Sequence, residues 1–250
     1  PRLYLGTMTF GWEQASTFVT PEIASQMLSR FSASTTTNVN VDTASIYSGG
    51  SCETIIGSIL PPNHTFLLGT KAHPSKGGLG TSGITAQFQN SILETKQSHF
   101  DEYYLHQPDT TNNILEALTF VHDQIQLGKV KKLGLSNYSA EECARIFQLC
   151  NDHSLTPPSV YQGLYNPLNR MVEDKLLPIL RQHNCAFVAY NPLAAGLLTG
   201  KHTRRNAEVP EGRFKNNDNY LPRFYTDNNF SALEAITEQC DKHSISIIDA

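Results

Sequence analysis

Asp42, Tyr47, Lys71 and His106 each stand where an apolar run stops. Asp42 and Tyr47 share the segment VDTASIYSGG, Lys71 closes FLLGTK, and His106 follows the apolar part of DEYYLHQPD. A phenol, an ammonium that tunes it, a carboxylate that anchors the ammonium and an imidazole that hydrogen-bonds the acceptor make a proton-delivery set. In a barrel of parallel strands, side chains at the strand ends converge on one mouth, and chemistry takes place there. Taken singly, each residue has a plainer reading: a packed tyrosine, a solvated lysine, a satisfied histidine, an aspartate in a turn. Their shared placement after three successive strand-like runs favours the chemical reading.

The surrounding chain has 250 residues, enough for one α/β barrel or two smaller domains. Its apolar fraction of 39% supports a sizeable core, and its formal net charge of -4 gives no sign of nucleic acid or an anionic membrane as a partner. No apolar run approaches the ~20 residues of a membrane helix. The chain begins at Pro1 rather than Met, which leaves room for an upstream leader, but no charged-then-apolar signal opens it. Five cysteines, Cys52, Cys143, Cys150, Cys185 and Cys240, show no C-x-x-C spacing, so free thiols in a reducing, cytoplasmic compartment are expected and a metal site is not. Asn63-His-Thr65, Asn137-Tyr-Ser139 and Asn229-Phe-Ser231 fit the glycosylation pattern but carry little weight without a signal peptide.

Strand-like and helix-like segments alternate. LYLGTMTF, NVNVDTA, HTFLLGTK, DEYYLHQ, VKKLGLSN, PPSVYQGLYN and CAFVAYNPL read as seven strands. Between them, Thr20-Pro21-Glu22 opens a helix that runs to about Phe31, and CETIIGSIL forms another. ITAQFQNSILETKQ places Ile84, Phe88, Ile92 and Leu93 on one face. NNILEALTFVHDQIQLGK stops at Gly128 and Lys129, Ser139-Ala-Glu-Glu142 is a capping box, and VEDKLLPILRQHN is helical. A long polar loop follows the seventh strand, and a helix resumes around FSALEAITEQCDKH. Repeated strand–helix units imply parallel strands with right-handed crossovers. A doubly wound sheet usually carries G-x-G-x-x-G after its first strand, whereas this first strand ends in Thr9-Phe10-Gly11-Trp12, so a TIM (β/α)8 barrel over residues 1–250 as a single domain is expected.

LGTMTFGW, VDTASIYSGG with Glu53 after it, GTK, YYLHQPD, GLSNYS, VYQGLYNPLNR and AYNPLAAGLLTGK occur in one order along nearly the whole chain. Together they resemble the aldo-keto reductases. The forms VYQGLYN, NPLAAGLLTGK, EGRF and NYLPRF are most similar to the aflatoxin-aldehyde reductase subgroup, whose members reduce dialdehydes, succinic semialdehyde and related carbonyls with NADPH. The resemblance implies that Tyr47 protonates the carbonyl oxygen as hydride arrives at its carbon. A free tyrosine ionises near pH 10, and the expectation is that Lys71 lowers this value, Asp42 holds Lys71, and His106 orients the substrate oxygen.

For the cofactor NADPH, the resemblance puts Ser136, Asn137 and Gln162 on the nicotinamide carboxamide and Tyr190 against the ring. Gly6, Thr7 and Met8 line the first strand's mouth near the nicotinamide end. Asn191, Pro192, Leu193, Ala194, Ala195, Gly196, Leu197, Leu198, Thr199, Gly200 and Lys201 wrap the pyrophosphate, with Arg213 reaching the same molecule. Tyr220 and Arg223 face a small carbonyl substrate, and the guanidinium suits a carboxylate. Phe10 and Trp12 offer apolar walls. Subgroup members are often dimers, so a homodimer is part of the same expectation.

The pattern stops at Ala250, before the eighth strand and the loop that grips the 2′-phosphate and adenine in this family. The expectation for the chain as given is therefore a C-terminally incomplete barrel that keeps the catalytic, nicotinamide end of the site and has weak NADPH affinity. A regulatory subunit on the same fold, like the potassium-channel β-subunits, is the alternative function. A hydrolase barrel would need paired carboxylates at the mouth, and Asp42 has only Asp109, beside Pro108, as a mate.

Overall fold

The computed structural model describes residues 2–13, 17–34, 39–60, 64–204, 208–215 and 217–250. Asn38, expected in the second strand, and Asn63, the acceptor of the first sequon, lie outside them. Seven strands alternate with helices: β1 (Tyr4–Gly6), β2 (Asn40–Asp42), β3 (Leu67–Ala72), β4 (Phe100–Leu105), β5 (Val130–Ser136), β6 (Val160–Leu164) and β7 (Ala186–Tyr190). They form one sheet in strict sequence order, and the pairs from β1 through β6 are parallel. Sequential order is what a (β/α) barrel requires. A doubly wound sheet would reverse direction at a switch point, and this one does not.

The helices between the strands are α1 (Pro21–Ala33), α2 (Ser51–Ile59), α3 (Thr81–Thr95), α4 (Ile114–Gln126), α5 (Ala140–Asp152) and α6 (Leu176–Gln182). Their starts follow local chemistry. The Thr20 hydroxyl accepts from the Ile23 amide, the Asn113 side-chain Oδ1 accepts from the Leu115 amide, and Ser139 and Glu142 close the expected capping box from both sides. Gly57 lets α2 approach α3: a Cβ there would sit 2.1 Å from the Glu94 carbonyl oxygen. The central strand β4 is buried along its entire length.

Two expectations shift. Leu93 is 71% exposed, and the buried face of α3 runs instead through Ile84, Phe88, Ser91 and Thr95. At about 100° per residue, Leu93 lies nine residues and half a revolution away from Ile84. The sixth helix begins at Leu176 rather than near Val172. Pro178 has no amide hydrogen to donate and is tolerated only in a first turn, so the helix starts just ahead of it.

The chain divides into two compact units. The first comprises the residues up to Glu13, Thr17–Gln162 and Lys175–Val188; the second comprises Gly163–Asp174 and Ala189–Ala250. The second unit has its own apolar cluster of Ala194, Leu197, Leu198, Phe214, Phe224, Phe230 and Leu233. The segment expected as one long loop contains a 3-10 turn at Ala194–Thr199 and the short helix α7 (Leu221–Phe224). The last helix, α8 (Asp227–Lys242), starts three residues before Phe230 because the Thr226 hydroxyl caps it on the Asn229 amide. No helix among the described residues is long and apolar enough to cross a membrane.

Candidate active site

In the first unit, Lys71 near the end of β3 is fully buried. An isolated ammonium in such a place would be costly, and the structure offsets that cost with acceptors. The Lys71 ammonium donates to both Asp42 carboxylate oxygens at 2.7 and 2.8 Å, to the Thr43 carbonyl at 2.7 Å and to the Tyr47 hydroxyl at 3.2 Å. Asp42 ends β2, and its carboxylate also accepts from the Gln162 side-chain amide at 2.8 Å. The backbone beyond β2 is pinned to β3: the Thr43 amide donates to the Gly69 carbonyl, and the Ser45 amide and hydroxyl both donate to the Lys71 carbonyl.

Tyr47 opens a 3-10 turn, with its amide bonded to the Ala44 carbonyl. The next residue, Ser48, is left-handed at φ 51°, and its hydroxyl donates to the carbonyls of Met8 and Phe10. That clasp ties the turn to the segment after β1 and places Met8 beside it. His106 follows β4; its ring meets Tyr47 edge-on at 5.7 Å and His73 edge-on at 5.1 Å. Asn137, left-handed at φ 62°, follows β5, and its side-chain Nδ2 donates to the His106 carbonyl at 3.0 Å and the Ser136 hydroxyl at 3.1 Å.

The electrostatics follow from burial and charge. Burial pushes the Tyr47 phenol above its usual value; the Lys71 ammonium pulls it down, and Asp42 adds to the rise. The sequence-based expectation of a lowered phenol is therefore corrected. The tuning cation is present, but loss of water around the ring outweighs it. Lys71 itself is raised: burial opposes its charge most strongly, yet Asp42 and Tyr47 together prevail. Burial, with the charges of Lys71 and His73 adding, drives His106 down to about 2, so its ring is neutral. Its Nδ1 is buried with no partner among the described residues. A proton there would be an unsatisfied buried donor, so the proton belongs on Nε2.

Asp42, Tyr47, Lys71, His106, Ser136, Asn137, Gln162 and Met8 thus all lie in the first unit. Tyr190 (except for its strand), the run from Asn191 to Lys201, Arg213, Tyr220 and Arg223 belong to the second. There the backbone is left-handed at Asn191, Ala194, Ala195, Gly196 and Gly200, while Ala194, Leu197 and Leu198 bury their side chains in the apolar cluster. Pro192 and Leu193 are exposed, and the Thr199 hydroxyl turns back onto the Gly196 carbonyl. The Lys201 ammonium donates to the Glu211 carbonyl, and the Arg213 guanidinium lies over the Tyr220 ring at 5.4 Å. Burial raises the Tyr190 phenol, with Arg223 lowering it and Tyr220 raising it, so these three sit within electrostatic reach of one another.

The first unit's donor set suits a nicotinamide carboxamide. A carboxamide needs a donor and acceptors; the Ser136 hydroxyl and the Asn137 and Gln162 amides offer both. Lys201 and Arg213 bring positive charge next to a run of left-handed backbone in the second unit. The residues that sequence reasoning missed are Thr43, which takes one Lys71 hydrogen, His73, which packs on His106, and Tyr104, whose ring lies 5.6 Å from the Lys71 ammonium. Gly69 and Gly134, glycines inside strands, were the available signal for a close approach there.

The sequence profile described as "Aldo/keto reductase family" matches residues 2–250. An aflatoxin B1 aldehyde reductase member 2 from Rattus norvegicus is 39% identical over 206 residues, covering 78% of this chain and 56% of that protein. The chain thus spans a little over half the length of this relative. Among solved structures, a glycerol dehydrogenase from Gluconobacter oxydans superposes with a TM-score of 0.76 at 24% identity, covering 98% of this chain and 75% of that one. An aldo/keto reductase from Klebsiella pneumoniae, solved with NADP and acetate, gives a TM-score of 0.69 at 21% identity, covering 99% and 74%.

Proposed function

The chain belongs to the aldo/keto reductase family, and from that premise we propose that it reduces aldehydes to alcohols with NADPH, with Tyr47 as proton donor. The observation that carries this reading is the fully buried Lys71 ammonium, bonded at once to the Asp42 carboxylate and the Tyr47 hydroxyl. NADPH, when bound, supplies a hydride to the carbonyl carbon. In the first unit, Ser136, Asn137 and Gln162 suit its carboxamide; in the second, the backbone from Asn191 to Gly200 with Lys201 and Arg213 suits phosphate, and Tyr190 an aromatic ring.

The chain's own residues then manage the proton. Tyr47, raised by burial, keeps its hydroxyl hydrogen at neutral pH and can give it up when negative charge appears on the carbonyl oxygen. Lys71 stands 3.2 Å behind that hydroxyl and stabilises the phenolate left behind. Asp42, steadied by Gln162, keeps Lys71 charged. His106, neutral with its proton on Nε2, donates to the substrate oxygen and orients it. Arg223, exposed in the second unit, suits a substrate carboxylate, which favours aldehyde acids such as succinic semialdehyde. The five buried free thiols support a reducing, cytoplasmic setting.

The test is NADPH oxidation by the purified protein with succinic semialdehyde or 2-carboxybenzaldehyde. Tyr47→Phe should lower turnover by about 10²–10⁴, the contribution of a positioned acid. Unchanged turnover would refute the assignment.

A further inference from the structure

One aromatic ring beneath the site has no place in that proton transfer. Tyr104 on β4 is fully buried and lies in register with Lys71 on β3 and Gly134 on β5. Barrel interiors are filled mainly by branched aliphatic side chains. Here the interior holds a phenol with a dedicated acceptor: the Tyr104 hydroxyl donates to Glu102 at 2.6 Å. Glu102, also buried, is held in turn by the Tyr4 hydroxyl at 3.1 Å and the Lys132 ammonium at 3.2 Å.

The neighbouring strands are cut away to admit this ring. A Cβ on Gly134 would sit 2.3 Å from the Tyr104 ring, which no side chain there would permit, and a Cβ on Gly69 would touch it at 3.5 Å. The ring is therefore clamped at its hydroxyl by Glu102 and on its face by bare β5 backbone. Its centroid is 5.6 Å from the Lys71 ammonium, whose distance to the Tyr47 ring is 4.9 Å. The three ammonium hydrogens are committed to Asp42, Thr43 and Tyr47. A π face is the contact that a cation with no hydrogen left to donate can still use.

We propose that Tyr104 is a positioning residue: its ring, braced by Glu102 and seated over Gly134, holds the Lys71 ammonium where it reaches the Tyr47 hydroxyl. The effect on Tyr47 rests on geometry alone, while its consequence for turnover rests on the reductase reading above. Replacing the ring by a smaller aliphatic group lets Lys71 drift, weakens its pull on Tyr47 and makes Tyr47 harder to ionise. Replacing only the hydroxyl leaves the ring in place.

The experiment compares Tyr104→Leu and Tyr104→Phe with the parent protein. Ionisation of Tyr47 is followed by NMR of protein labelled with ¹³Cζ-tyrosine, without substrate or cofactor, its resonance assigned through Tyr47→Phe. Carbonyl reduction across pH is measured in parallel. In Tyr104→Leu, Tyr47 should ionise at a pH higher by about half a unit or more, and kcat should fall roughly tenfold with little change in KM. Tyr104→Phe should stay close to the parent in both. If Tyr104→Leu does not fold, Gly134→Ala displaces the same ring and should give the same shift. A folded Tyr104→Leu or Gly134→Ala with Tyr47 ionising at the parent's pH overturns the proposal. A shift in Tyr47 without any turnover by the parent would sink the reductase reading and leave the positioning role standing.

Discussion

Lys71→Met removes the charge at the centre of the candidate site while keeping most of the buried stem. It deletes the donor to Asp42, Thr43 and Tyr47 together. Asp42 is then left as a nearly buried carboxylate whose remaining donor among the described residues is the Gln162 side-chain amide at 2.8 Å. Breaking a buried ion pair on one side costs about 3–5 kcal/mol, and the surviving Gln162 contact puts the expectation at about 3 kcal/mol near pH 7. Asp42→Asn in the same chain removes the stranded charge, so the double variant should cost about 2 kcal/mol less than the two single variants summed. Urea unfolding followed by fluorescence of Trp12, the one tryptophan in the sequence, reports on the first unit. A cost below about 1 kcal/mol, or additive single and double variants, would show that the pair is not the coupled unit the geometry describes.

Three further outcomes follow from the same structure. His106 is held near a pKa of about 2 by burial, while an unfolded histidine titrates near about 6.5. The unfolded chain therefore binds a proton between those values that the folded chain does not, and stability falls as pH drops below about 6.5; His106→Gln should flatten that limb in urea midpoints taken from neutral to acid pH. Ser139→Ala removes one half of the capping box of α5 and should lower stability by about 1 kcal/mol, with Ser139→Asp recovering most of it; equal midpoints for serine and alanine would contradict the cap. Gly57→Ala drives a methyl to 2.1 Å from the Glu94 carbonyl and should cost about 1–3 kcal/mol by forcing α2 off α3, read as a lowered thermal midpoint.

Much of the architecture was legible in the chain because its signals are local. Alternation of strand and helix patterns, the Thr20 and Ser139 caps and the stop at Gly128 all act within a few residues, and the elements form where those signals place them. Misreadings arose where a local signal was weighed wrongly. Leu93 was grouped by hydrophobicity, yet helical geometry turns it to solvent, while Ser91 and Thr95 take the buried positions. Pro178 was an available marker for the late start of α6. In the site, Asp42, Tyr47, Lys71 and His106 were marked by lying at strand ends, and parallel register brings them together. Tyr104 was not marked, because nothing in YYL distinguishes a tyrosine that packs against a helix from one that lies under an ammonium.

The sequence by itself determined the order of elements, the residue types at each strand end and the family to which the chain belongs. Those are properties of short segments and their succession. The tertiary structure decided the charge states and partners. Whether Lys71 pulls Tyr47 below its usual value or burial pushes it above depends on how much water the fold removes from both, and burial prevails. Whether Gln162 steadies Asp42 depends on two side chains 120 residues apart meeting at 2.8 Å. Desolvation and distance are set by the whole surrounding sheet and helices, so no segment of the chain carries them alone.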